Sequence, residues 1–435
     1  MIPRLEIHFD RTERRWFKQG REYSMPKGEF WLNHCRSGIQ LELQALELQP
    51  QTGVGMMVYN CHTVMNAIWQ AGCKPVFVDI TDSITIDMED LARKREQMQV
   101  LIVTHLFGIV NDVKEIKRRY PDLIVIEDCA HCYEHEIDGE FGVYSVGQGK
   151  FPSIGDGGIL VVKEENIKNT YKNIENNFLL EENKKEESEL TDISSNNLDS
   201  KSAQKQAFGQ PSAQSCSDTL TDSSEKNSQK ISKNVIAAIN EQYAQLRGYT
   251  KKQERKLYVR LWMKAMMYSK GLYWLTRMLK GKRGEKDVQE QVTMRKMSRG
   301  IANIMVHKRA EYPAAVQERL QRARQIENAM IGENAFMAIV RSEDPIALQN
   351  QYAERGIETE THFKHCISWA EQFGYVRGTC PKAETLVDHL LMIPTYCEVK
   401  RTSELSLRAG NELRALDTIQ QNGRSNVGCH PTQRT

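Results

Sequence analysis

The sequence predicts an α/β protein with a large domain on an open, mainly parallel sheet and a smaller α/β domain behind it. Three observations predict this. At 435 residues, the chain exceeds the roughly 250 to 300 residues at which single cores stop growing, so two domains are expected. From Phe30 to Val162, short apolar runs alternate with amphipathic stretches, the βα repetition of a parallel sheet covered by helices. A second, shorter α/β pattern resumes beyond Ile301, after an interval of different composition.

Within the first region, Pro75–Asp79, Val100–Thr104 and Leu123–Glu127 read as short buried strands, and Met88–Gln97 and Val113–Arg119 as the helices between them. Open sheets of this kind bind ligands beyond the C-terminal ends of their strands. Asp79, His105 and Asp128 stand at or just past such ends, so chemistry is sought there. The large domain is assigned to 1–170. Residues 181–230, crowded with Glu, Lys, Ser, Asn, Asp and Gln, read as a disordered or mobile polar insertion, because ordering them would cost entropy with little burial in return.

Residues 231–293 read as a helical, basic and aromatic arm. Its stretch 251–283 holds eleven Lys or Arg against one Glu, interleaved with residues such as Leu257, Trp262, Met266, Trp274 and Leu279. An amphipathic helix of that kind suits an anionic membrane surface; packing against the core or a partner subunit is the weightier alternative. The small domain is assigned to 294–400, with helical periodicity to about Ala329, a strand at Ala335–Val340, helices at Pro345–Tyr352 and Ala383–Leu391, and a short terminal segment at Met392–Tyr396. Residues 401–435 read as a flexible tail.

Composition bounds the function. A net charge of +2 gives no argument for nucleic-acid binding. The first 18 residues lack a secretion signal's apolar run, and no stretch approaches the roughly 20 apolar residues of a membrane span. A cytoplasmic protein is expected, peripheral to the inner face of the membrane if the arm binds lipid. Ten scattered cysteines suit reduced thiols rather than a disulfide scaffold.

Chemistry concentrates in three stretches. Tyr144-Ser-Val-Gly-Gln-Gly-Lys150, running on to Gly158, offers a Ser145 hydroxyl for a phosphate, glycines for close backbone approach, and a Lys150 amine able to form a Schiff base with an aldehyde cofactor. Its spacing is not that of a nucleotide-binding phosphate loop. Ile124 to His131 places Asp128 at a strand end, where a carboxylate can stabilise a protonated pyridine nitrogen. His131 would then contact the ring's phenolic oxygen or stack above it. In Arg36-Ser37-Gly38-Ile39, a Ser-Gly turn before an amphipathic helix would expose backbone donors to a phosphate. Cys129, His131, Cys132, His135 and His105 could ligate a metal, but no second Cys-x-x-Cys pair accompanies them, and no native metal site is expected. Cys129-Ala-His-Cys132 also has the spacing of a redox dithiol, and pocket or buried cysteines are preferred.

These motifs, with Asn66 to Asp79, Thr104-His-Leu-Phe-Gly108, Cys380 to Glu384 and Leu391 to Tyr396, resemble those of the DegT-type nucleotide-sugar aminotransferases. The resemblance covers roughly Phe30 to Val162 and, less closely, Met294 to Val399. It implies the aspartate-aminotransferase fold (PLP fold type I) and a pyridoxal 5'-phosphate cofactor. It makes Lys150 the catalytic, Schiff-base lysine, Asp128 the pyridine-nitrogen partner, His131 a ring contact, and Ser145, Ser37 and Gly38 phosphate ligands. Ile39 stands where the family usually carries threonine, Cys61 at a ring-stacking position often aromatic, and Met294 where an Asn often crosses a dimer interface. The implied reaction moves an amino group from an amino acid, glutamate by analogy, to a nucleotide-linked keto sugar in a homodimer. The family's deoxysugar dehydratases carry histidine at the position of Lys150. A catalytically inactive interaction or regulatory protein on the same fold is the alternative.

Overall fold

The computed structural model describes residues 3, 6, 7, 9–177, 213–269, 272, 273 and 288–396. Its centre is a seven-stranded sheet in the order β1-β7-β6-β5-β4-β2-β3. The strands are β1 (Glu29–Leu32), β2 (Gly53–Met57), β3 (Lys74–Val78), β4 (Val100–Thr104), β5 (Ile124–Cys129), β6 (Phe141–Ser145) and β7 (Gly158–Val162). From β3 to β6 every pair is parallel, whereas β7 runs antiparallel to both β6 and β1. Strands β4 and β5 are buried at every residue, which is why they read as unbroken apolar runs rather than as alternation. Helices α1 (Arg11–Lys18), α2 (Cys35–Ala45), α3 (His62–Gln70), α4 (Met88–Lys94), α5 (Val113–Arg119) and α6 (164–177) accompany this sheet.

Local rules set the boundaries. Asp112 caps α5 through the amide of Glu115 at 2.9 Å, and Lys117, Arg118 and Arg119 occupy its last turn, opposite in charge to the carbonyl end of the helix. Asp87 caps α4 in the same way.

The polar stretch departs from expectation. Helix α7 (Ala213–Gln245) begins inside it, so 213–230 is helical and the boundary at 230/231 falls mid-helix. The reason lies downstream: Ser228, Ser232, Val235 and Ile239 are buried at the spacing of one helical stripe, and α7 packs on α2. Residues 181–212 lie outside the described residues, as do 401–435 and Trp274, Leu275, Met278 and Leu279 of the arm. Helix α8 (Lys251–Met267), opened by a Thr250–Gln253 capping box, buries Leu257 and Leu261. These two side chains contribute about 1.5–3 kcal/mol each, so this face of α8 packs against the core. Its Val259, Trp262, Met263 and Met266 remain exposed. No helix among the described residues is long and apolar enough to cross a membrane.

Helix α9 (Arg299–Ala323), against which α1 packs, leads to a four-stranded antiparallel sheet, β10-β11-β9-β8. The strands are β8 (Ala329–Ile331), β9 (Met337–Arg341), β10 (Glu360–Thr361) and β11 (Leu390–Pro394), with α10 (Pro345–Glu354), α11 (Cys366–Glu371) and α12 (Pro381–Leu386). The helix expected over Ala383–Leu391 stops at Leu386, because Leu390–Pro394 is a fully buried central strand paired on both sides. Two large-domain residues clasp α12. Asp79 accepts from the amides of Lys382 (3.0 Å) and Ala383 (2.8 Å), and Lys94 reaches the carbonyls of Phe77 and Thr379. Asp79, marked by its strand-end position, therefore caps a helix rather than facing a ligand.

Candidate active site

A cavity of about 340 Å³ opens where β4, β5 and β6 end and the N-termini of α2 and α3 converge. Lys150, Asp128, His131, Ser145, Cys61 and Ile39 all line it. The register explains the convergence: Thr104 lies opposite Asp128, and Asp128 opposite Val143, two residues before Ser145.

Lys150 sits on a tight turn closed by its own amide to the Gly147 carbonyl, 3.2 Å. Gly149, Gly155 and Gly157 hold φ of +75°, +105° and +112°, and at 155 a side chain would strike Leu261 of α8, since a Cβ there would lie 2.3 Å from its Cδ2. The Gly147 amide also reaches the Ser145 hydroxyl at 3.3 Å. Among the described residues, no hydrogen bond or ion pair engages the Lys150 amine.

Asp128 is buried and held from three sides. Oδ1 accepts from the Ala130 amide at 3.0 Å and the Cys35 thiol at 3.7 Å, and Oδ2 from the Thr104 hydroxyl at 3.3 Å. Thr104 in turn accepts from the Asn60 amide at 2.7 Å. Burial raises the Asp128 pKa, outweighing the charge of Lys150 and the hydrogen bonds that favour the carboxylate. A cationic ring nitrogen placed against it would supply the missing counter-charge. Burial, with Asp128 nearby, also pushes up the pKa of the Cys35 thiol and of Glu42, whose carboxylate oxygens have no hydrogen-bond partner.

His131 stacks on Phe336 (4.5 Å, 22°) and Phe107 (5.5 Å, 26°). Its Nδ1 accepts from the Phe107 amide at 3.1 Å, which leaves the proton of the neutral ring on Nε2. Burial, then the charges of Lys150 and His362, hold its pKa well below the ordinary value, so it is a neutral, oriented donor. Cys61 is the N-cap of α3. Burial alone would raise its pKa, but hydrogen bonds from His62 and Thr63, with the charges of His62 and Lys150, bring it down to about 7.

The expected phosphate turn needs correction. Helix α2 begins at Cys35, so Ser37 and Gly38 lie inside its first turn and neither lines the cavity. The Ser37 hydroxyl donates to Asn33 Oδ1 at 3.0 Å. A Cβ on Gly38 would lie 2.8 Å from Val143 Cγ1, so this glycine lets the helix approach the sheet. His34, Cys35 and Arg36 stand at the cavity instead, and Arg36 Nε is a buried donor without a partner. That orphaned donor, the unengaged Lys150 amine, the Nε2 proton of His131 and the partly paired Asp128 fit a phosphorylated pyridine aldehyde: anion, aldehyde, phenolic oxygen and ring nitrogen each meet a complementary group.

Reading the arm only as basic and aromatic missed two cavity residues. Arg260 and Lys264 of α8 line the wall beside the lysine turn. Arg260 Nη2 lies 3.0 Å from Asp156 Oδ2, while His34 Nδ1 lies 3.2 Å from the other Asp156 oxygen. Lys264 donates to Gln148 Oε1, and burial lowers its pKa. The signal was present in the spacing, since Leu257, Arg260, Leu261 and Lys264 fall on one helical stripe.

Behind the cavity, His105 Nε2 meets Glu127 at 2.8 Å, and the Cys132 thiol (2.8 Å) and His135 Nδ1 (2.9 Å) share Glu333 Oε1. These groups are hydrogen-bonded to one another, and His105, Cys129, Cys132 and His135 do not line the cavity.

Known proteins resemble this chain over part of its sequence and in its fold. Residues 21–201 match the DegT/DnrJ/EryC1/StrS aminotransferase family. An uncharacterized protein of Methanocaldococcus jannaschii is 30% identical over 162 residues, 34% of this chain and 41% of its own length. The UDP-N-acetyl-3-dehydro-alpha-D-glucosamine 3-aminotransferase of Acidithiobacillus ferrooxidans is 31% identical over 159 residues, 33% and 42% of the two chains. The chain thus spans about two-fifths of the length of these curated relatives. A Streptococcus pneumoniae protein solved in its PLP-form superposes with a TM-score of 0.57 at 16% identity, covering 93% of this chain and 96% of that one, which establishes the shared PLP type I fold.

Proposed function

We propose that this chain, whose residues 21–201 match the DegT/DnrJ/EryC1/StrS aminotransferase family, transfers an amino group from an amino acid to a nucleotide-linked keto sugar using pyridoxal phosphate held on Lys150. The observation that carries the reading is the meeting of an unengaged lysine, a buried aspartate and a neutral, oriented histidine in one cavity.

When bound, the cofactor supplies an aldehyde for covalent attachment and a ring that accepts electron density. The residues supply the rest. Asp128, fixed by Thr104 and Ala130, keeps a proton on the ring nitrogen. His131 offers its Nε2 proton to the phenolic oxygen. Arg36, whose buried Nε has no partner, receives the phosphate. With its amine free, Lys150 would carry the substrate's α-proton as general base. Glutamate is the donor suggested by the resemblance, and a homodimer the assembly.

Borohydride reduction after incubation with pyridoxal phosphate, followed by peptide mapping, tests the assignment. An adduct on Lys150 is expected; folded protein with none, or with one elsewhere, would sink it. Conversion to the amine form by amino acids, then a challenge with nucleotide-linked keto sugars, tests the reaction. Failure of both halves in loaded protein would leave the interaction-protein reading standing.

The outer face of α8 supports a membrane partner. Val259, Trp262, Met263 and Met266 form an exposed stripe, and Lys251, Lys252, Arg255 and Lys256 charge the helix's first turns, a combination complementary to an anionic bilayer. Sedimentation with phosphatidylserine vesicles should fall when 251–283 is deleted; equal sedimentation would rule this out.

A further inference from the structure

Two of the cavity's cations have no task in the mechanism above. Arg260 and Lys264 belong to α8, outside the segment 21–201 that matches the family. They stand four residues apart and so project from the same side of the helix as Leu257 and Leu261, which are buried. Both are oriented by the lysine turn, Arg260 through Asp156 and Lys264 through Gln148. Leu261 fills the space that a side chain at Gly155 would need, so α8 and the turn meet at closest approach.

The charge of the lining gives this wall a use. Lys150, Arg36, Arg260 and Lys264 face the cavity against Asp128 and Asp156, four cations to two carboxylates. An excess of this kind, with the buried donor of Arg36 unpartnered, is complementary to a multiply charged anion. One Arg260 nitrogen is committed to Asp156, and a guanidinium has further donors suited to phosphoryl oxygens, beside which a lysine acts as a compact point charge.

We propose that Arg260 and Lys264 form a phosphoryl-binding wall, contributed by the arm helix, for either the cofactor's phosphate or the diphosphate of the sugar substrate. This rests on the reading of the cavity as a site for a phosphorylated cofactor. The arm is then part of the binding site rather than an appendage to it.

The test is titration of the double variant Arg260→Gln/Lys264→Gln, with Lys264→Gln alone as the milder change and Met263→Ser, on the outer face, as control. Thermal melting verifies folding. Apo protein is titrated with pyridoxal phosphate and with pyridoxal, which lacks the phosphate, by absorbance; cofactor-loaded protein is titrated with inorganic pyrophosphate by calorimetry. Losing two charge-assisted contacts should weaken binding by roughly tenfold to a hundredfold. If the wall serves the cofactor, pyridoxal phosphate weakens and pyridoxal does not. If it serves the substrate, the cofactor is unaffected and pyrophosphate weakens. Binding of both within twofold of wild type overturns the proposal. Should wild type form no adduct on Lys150, the cofactor reading fails by itself, and inorganic phosphate binding to apo wild type and double variant still decides whether the wall exists.

Discussion

The turn carrying Lys150 and the helix facing it form opposite walls of one cavity, yet they are held by different means. The turn is fixed by backbone: β6 and β7 on either side, and three glycines in left-handed conformations. Helix α8 is fixed by side chains, two leucines in the core and two polar contacts at the rim. A backbone-held wall positions one amine and tolerates little change. A side-chain-held wall can be trimmed residue by residue without collapse, and so suits the part of a site that selects its ligand.

Four changes sharpen this contrast, the largest first. Lys150→Ala removes the covalent anchor and the base together, and turnover should drop by about 10³-fold or more; a smaller loss in the two-stage assay would mean another amine substitutes. Asp128→Asn keeps the shape but loses the charge that holds the ring proton, so the half-reaction with amino acids should slow by on the order of 10²-fold. Pyridoxal phosphate should still attach, as its absorbance will report. Gly155→Val sets a branched side chain at a φ of +105° and against Leu261. Strain and overpacking should cost about 2–4 kcal/mol, read as a lowered melting temperature, whereas Met263→Ser on the exposed face of α8 should leave it nearly unchanged.

The smallest effect concerns Cys61. With its pKa brought down to about 7, its thiolate fraction rises as pH climbs through that value, since the deprotonated form is the nucleophile. Iodoacetamide labelling of the apo protein should therefore be half-maximal near pH 7 at Cys61, while Cys35, whose pKa lies well above the ordinary value, stays unlabelled. Equal labelling of both cysteines would contradict the described environments.

What the sequence disclosed follows from how local each feature is. Val100–Thr104 and Val113–Arg119 have the bounds read from apolar runs and charge alone, because burial on both faces and a capped, charge-ordered helix both leave marks in neighbouring residues. Lys150, Asp128, His131 and Ser145, each singled out within a short motif, line one cavity. Ser37 and Gly38 were misplaced because the turn was presumed to precede the helix, whereas α2 starts at Cys35 with no side-chain cap at His34 to announce it. The helix through 213–230 was missed because its support is tertiary, coming from packing on α2. Arg260 and Lys264 were not singled out within the basic arm: their spacing places them on the stripe of Leu257 and Leu261, but their partners Asp156 and Gln148 lie more than a hundred residues upstream.

The clasp on α12 also bears on how the molecule comes apart. Asp79 and Lys94 belong to the larger sheet's end and flanking helix, yet they bind the amides and carbonyls that open a helix of the smaller unit. Freeing α12 would strand a buried carboxylate, a penalty that links local opening there to loss of the large sheet's own order. The two sheets are thereby coupled into one cooperative unit, and heating should produce a single calorimetric peak rather than two separate transitions.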